Sequence, residues 1–163
     1  MADQLAVYLQ DHFAGSMFGL ELVERCRRNN AGTPFHGPLN ELASEIRADR
    51  RTLGEVMASL GADPSLSKVA FAWALEKVRR LKPNGSLRGY TPLARVTELE
   101  TLAIGVVGKR EMWTVLAELA SAGHPLETFD FAALAERAED QLRRVEIMRL
   151  DAARLAFPHD GRV

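Results

Sequence analysis

The sequence predicts an all-α protein: a bundle of four long helices with a shorter fifth helix in a crossover. Three observations carry that reading. Apolar residues recur at helical spacing through most of the chain. Strand-like alternation is absent, and β-branched residues are few. Proline and glycine gather at four points, Gly32 to Pro38, Gly61 to Pro64, Pro83 to Pro92 and Gly123 to Pro125, and cut the chain into helix-length pieces. At 163 residues, 47% apolar and 26% charged, the chain reads as one folded domain spanning 1–163, large enough to bury a core without metal or disulfide support.

The first predicted helix covers 3–29. Its inner stripe is Leu5, Tyr8/Leu9, His12/Phe13, Ser16/Met17, Gly19/Leu20, Val23 and Cys26, close to a heptad seam. Gly32-Thr33-Pro34 ends it. The second covers 38–60, with Leu39, Leu42, Ile46, Asp49, Leu53, Val56/Met57 and Leu60 on one face and Gly61 as the residue that closes it. The third, 65–82, starts at Asp63-Pro64, a capping side chain followed by a proline suited to the first turn. The fourth, 92–121, opens the same way at Thr91-Pro92; Gly105 and Gly108 within it are places to bend or pack closely. The fifth, 129–157, turns Phe131, Leu134, Ala138, Leu142, Val145, Met148, Ala152 and Leu155 inward, and Pro158 stops it.

Short turns join the first helix to the second and the fourth to the fifth, so each pair is expected to form an antiparallel hairpin. The hairpins are separated by residues 61–91. Two long hairpins and a long crossover resemble the layout of the ferritin-like superfamily of four-helix bundles, and the resemblance spans essentially the whole chain. It implies a di-metal carboxylate centre holding iron or manganese, with one Glu on each of two helices and Glu-x-x-His on each of the others. The sequence departs from that pattern. It contains no Glu-x-x-His: Glu45 is followed at i+3 by Ala48 and Glu139 by Leu142. None of His12, His36, His124 and His159 lies in the second, fourth or fifth predicted helix. The standard metal chemistry is therefore not expected.

Polar residues on inner faces carry what functional signal remains. At about 100° per residue, His12 falls near the centre of the apolar face of the first helix, with Asp49 and Gln141 within about 40° of the centres of theirs. Glu45 and Glu100 lie at the flanks, about 80° off centre, while Glu21, Glu24 and Glu139 turn outward. A nonstandard metal site would draw on His12, Glu45, Asp49 and Glu100. The simpler expectation is protein partners, because a buried polar group without one is costly. His12 and Asp49 differ in height by about 9 Å at 1.5 Å per residue, too far for a direct bond unless the helices are offset. Glu100 and Arg149 match in height and are expected to pair.

Several other features have two readings each. Gly15-x-x-x-Gly19 would let a bulky neighbour such as Trp73 or Trp113 approach; the alternative is a ligand cavity. Residues 77–95 carry Lys77, Arg79, Arg80, Lys82, Arg88 and Arg95 with no acid, which suits a solvated connector or an anion site built from Arg88, Thr91 and Arg95 at a helix start. Nucleic acid is not the expected partner of a chain with 21 basic and 22 acidic residues. Gly105-Val-Val-Gly108-Lys109 lacks the spacing and preceding strand of a phosphate loop. The single cysteine, Cys26, forms no internal disulfide and reads as a buried structural thiol. The first residues lack the basic stretch of a signal peptide, and no apolar run approaches about 18 residues, so a cytoplasmic location without membrane association is expected. Val7, Phe18, Ile147 and Leu150 fall outside the inner stripes and suggest cover by the crossover or by a second copy in a homodimer. The expected function is that of a non-catalytic interaction or structural bundle. The alternatives are a metal-binding or oxidoreductase bundle and a small-molecule binder in the core.

Overall fold

The computed structural model describes residues 2–62 and 90–159. These form four helices and, among the described residues, no strand: α1 Ala2–Asn29, α2 His36–Ser59, α3 Pro92–Ser121 and α4 Phe131–Ala156. The helix expected over 65–82 lies outside the described residues.

The ends of the helices follow from local chemistry. Gly61 adopts a left-handed φ of 67°. Its N–H then reaches the carbonyl of Ala58, and the N–H of Ala62 reaches that of Met57, so carbonyls that α2 leaves open are capped. Gly123 ends α3 in the same way, at φ 87°, with His124 donating back to Leu119. At the start of α3 the Thr91 hydroxyl accepts from the Ala94 N–H, and Pro92 stands where no helical N–H is needed. Asp130 caps α4 by accepting from Ala133, which starts that helix at 131 rather than 129. The second helix begins at His36 rather than 38, because Pro38 fits within its first turn, where an N–H has no partner to lose.

In packing, α1 lies against α2 and α3 lies extensively against α4; α1 also meets α3, and α2 meets α4 more lightly. Apolar residues gather in two clusters. One holds Val23, Cys26, Leu39, Leu42, Leu99 and Val145. The other holds Leu9, Leu53, Met57, Trp113, Leu116 and Phe131. On α2, Asp49 falls between Ile46 of the first cluster and Leu53 of the second, and on α4 Gln141 falls between Val145 and Ala138. A polar layer thus divides the core. The inner stripe expected for α2 is buried almost as read, with Ala43 added. On α4 one member of the expected stripe departs: Leu155 is 57% exposed, and the last turn packs inward through Ala152, Ala153 and Ala156 instead. No helix among the described residues is long and apolar enough to cross a membrane.

Candidate functional site

A groove of about 410 Å³ lies between α1 and α3, floored by α2. Its walls are built from small residues. Gly15 and Gly19 face it from α1, Gly105 and Gly108 from α3, and a methyl group placed on any of the four would touch no described residue within 4 Å. Of the two tryptophans expected near Gly15 and Gly19, Trp73 lies outside the described residues. Trp113 lines the groove, and among the described residues no atom comes within 4 Å of a methyl group built on either glycine. Phe18, Leu22, Leu53, Leu102, Val106 and Met112 make the rest of the surface mostly apolar.

The floor is polar. Asp49, 3% exposed, accepts from Lys109 Nζ at 2.5 Å, from Gln141 Nε2 at 3.2 Å, and from Arg137 on its other oxygen. Gln141 is fully buried and joins the two halves of the layer. Its carbonyl accepts from Lys109, and its amide donates to Glu45 at 2.9 Å, which also accepts from Arg144 at 2.5 Å. Burial lowers the pKa of Lys109 from its ordinary value, against the pull of the Asp49 charge. The ammonium is held by the carboxylate and amide, so its role is to neutralise Asp49 rather than to act as a nucleophile.

His12 stands at the groove, with its ring edge on Tyr8 at 4.6 Å between centroids. Burial lowers its pKa, and Asp11 offsets part of that shift. Arg50 lies over the Phe13 ring at 4.8 Å and forms no ion pair among the described residues. Two N–H groups of these residues are buried and have no acceptor among the described residues: Nε1 of Trp113 and Nε of Arg50.

The four residues considered for a nonstandard metal site are distributed differently from a ligand set. Glu45 and Asp49 are brought together through Gln141, but their oxygens are engaged by Arg144, Arg137 and Lys109. His12 lies at the groove without joining them. Glu100 is on the surface and reaches Arg149 at 3.8 Å, the pair expected from their matching heights; Arg149 sits closer to Glu146, at 2.7 Å. Among the described residues no three His, Cys, Asp or Glu side chains form a group able to hold a metal ion. This donor set does not fit a di-iron or di-manganese centre, since a bound cation would have to displace protein cations already paired with the carboxylates.

A second polar network lies at the end of α1. The Tyr90 hydroxyl donates to Glu98 at 2.8 Å, accepts from Asn30 at 3.1 Å and stands 3.7 Å from the Cys26 sulfur. Asn30, fully buried, also donates to the Cys26 carbonyl and accepts from Arg95. Arg25 closes on the other Glu98 oxygen at 2.9 Å. Of the residues proposed for an anion site, Arg95 is turned into this network, with its guanidinium over Phe35 at 4.5 Å, and Thr91 is spent as a helix cap. Arg88 lies outside the described residues. Cys26 is the buried thiol expected: burial, then the Glu98 charge, push its pKa up to about 12. The same two influences, together with the neighbouring thiol, raise the pKa of Tyr90.

Lys109, Arg137 and Arg144 were not singled out from the sequence as members of the buried layer, nor Glu98 as a member of the Tyr90 network. The one signal for the groove was the glycine pairs, two on α1 and two on α3, at spacings that keep each pair on one helical face. The chain matches no protein-family model, no curated protein and no solved structure.

Proposed function

We propose that this protein is a non-catalytic helical bundle, ferritin-like in its two antiparallel hairpins and long crossover, that binds a small, mostly apolar molecule in the groove between α1 and α3. The observation that supports this reading is the groove itself. A cavity of about 410 Å³ lined by apolar side chains and four unobstructed glycines falls within the range of small-molecule sites, which are concave, apolar and given a few placed polar groups. A packed core avoids such voids, because lining atoms without neighbours lose dispersion contacts. The carboxylates beneath the groove are internally neutralised, which favours binding over metal or acid–base chemistry.

The reading is tested by thermal-shift and calorimetric titration of the full chain with amphiphiles of graded chain length, beside Gly19→Leu. The substitution fills the groove from a position where a side chain meets no obstacle. The expected result is saturable binding by the parent chain and none by a folded Gly19→Leu. Equal binding by both would move the ligand elsewhere.

A second reading rests on exposed apolar residues. Ile104 and Ile147 are 74% and 62% exposed, and Leu150 joins Ile147 on α4. Such surface favours pairing with a second copy of the chain. Sedimentation of Ile147→Lys against the parent distinguishes a homodimer from a monomer.

A further inference from the structure

The geometry points to an antiparallel pairing of α4 with α4 of a second copy, crossing at Ile147 and held in one register by two pairs of charges; this rests on the reading of the chain as a homodimer. Ile147 is 62% exposed. It lies on the side of α4 opposite Ala138 and Val145, which enter the core. Leu150, one turn on, extends the apolar centre of that outer face.

The charges around Ile147 are ordered. Asp140 stands seven residues before it and Arg154 seven after; Arg143 stands four before and Asp151 four after. At about 100° per residue all four fall within about 40° of Ile147 around the helix. All four side chains are half-exposed or more. A twofold axis at Ile147 reverses the second helix, so each residue before the isoleucine faces the residue equally far after it. Asp140 then meets Arg154 of the partner subunit, and Arg143 meets Asp151 of the partner subunit. Within one chain Arg143 already bonds Asp140 at 3.2 Å, and Arg154 bonds Asp151 at 2.5 Å. Each side of the crossing thus gathers four charges that alternate around a ring. Pairs this exposed add little to an isolated chain, but between copies they set orientation and register.

Other arrangements bring like charges together. In a parallel pair each residue faces its own copy, carboxylate on carboxylate and guanidinium on guanidinium. Slipping the antiparallel pair by three residues sets Arg143 against Arg154 in one direction and Asp140 against Asp151 in the other. The register centred on Ile147 opposes unlike charges at all four positions and joins the two isoleucines.

Sedimentation equilibrium of the full chain tests the register. The parent is expected to dimerise. Arg154→Glu opposes two carboxylates on both sides of the axis and is expected to weaken the dimer by about ten-fold or more. Adding Asp140→Arg is expected to restore the parent's affinity, although the exchange abolishes both attractions within the helix. Arg144, which holds Asp140 at 2.9 Å, keeps its bond to Glu45. A dimer indifferent to Arg154→Glu, or a double variant as weak as the single, overturns the register while leaving the homodimer. A parent that stays monomeric overturns both. Salt decides the matter on the parent chain where a variant fails to fold. The dimer is expected to loosen between about 0.05 M and about 0.5 M sodium chloride, and a dissociation constant that salt leaves unchanged overturns the charge pairing.

Discussion

The Asp49 layer and the Tyr90 network each bury a carboxylate beside a cation and join their halves through a fully buried amide, Gln141 in one and Asn30 in the other. They differ in what surrounds them. The layer divides two apolar clusters and forms the floor of a cavity, whereas the network closes the junction of α1, the turn after it and the entry to α3. They differ also in chemistry. The layer is an assembly of full charges, in which removing one leaves others buried and uncompensated. The network holds a thiol and a phenol that remain neutral until strongly alkaline pH. A buried polar cluster is therefore not by its nature a functional site; the cavity beside one of them separates the two.

The largest expected effect breaks the layer. Asp49→Asn leaves Lys109 and Arg137 without their counter-charge and should destabilise the fold by about 3–5 kcal/mol in urea denaturation. The double variant Asp49→Leu/Lys109→Met should recover part of that loss, since the buried ammonium goes with its carboxylate and only the more exposed Arg137 is left unpaired. A cost for Asp49→Asn below about 1 kcal/mol would place the layer in contact with water instead.

Alkaline pH separates the two regions by sign. The folded pKa of Cys26, about 12, lies above its ordinary value of 9.0. The folded state therefore holds a proton that the unfolded state releases, and stability from this group is full below pH 9 and declines above it, by up to about 1.4 kcal/mol per pH unit. Cys26→Ala should remove that decline, leaving only the share that Tyr90 contributes in the same direction. Lys109 acts the opposite way. Its folded pKa lies below the ordinary 10.5, so the unfolded state binds more protons there and the contribution rises with pH until 10.5 is passed. Comparing Cys26→Ala and Lys109→Met with the parent at pH 8 and pH 10.5 should give difference slopes of opposite sign; slopes of one sign would mean that one burial environment is misassigned.

The smallest expected effect tests the groove walls. Gly15→Ala and Gly19→Ala meet no neighbouring atom and should each stabilise the helix by about 0.5–1 kcal/mol, because alanine loses less backbone freedom on folding. A loss of stability would show that the space above α1 is filled.

Much of the fold was legible because it depends on short-range chemistry. Thr91-Pro92, Gly61 and Gly123 mark helix ends through interactions spanning a few residues, and the α2 stripe from Leu39 to Met57 is written in a 3.6-residue period. Asp49 and Gln141 stood out for the same reason, as polar residues at positions where the period demands apolar ones. The Glu100–Arg149 pair was legible from counting heights along a hairpin. Lys109 was not, because its long stem lets the ammonium enter a layer from a position beside Gly108 that periodicity does not mark. Leu155 was read inward by its apolar type, whereas the small residues Ala152, Ala153 and Ala156 take the inner side of the last turn.

Residue type and spacing thus determined by themselves the helical class, most helix ends and which polar groups would need partners. Which partners they found was decided only by tertiary packing. Asp49 draws its cations from α3 and α4, 60 and 88 residues away in the chain, and Tyr90 meets Asn30 across a separation of 60. The groove has the same origin. Glycines on two helices make an open cavity only when those helices face each other at that height, and no local preference encodes that approach. Local conformational energy sets an element along the chain, whereas the burial of charge and the shape of a void are properties of surfaces brought together from distant parts of it.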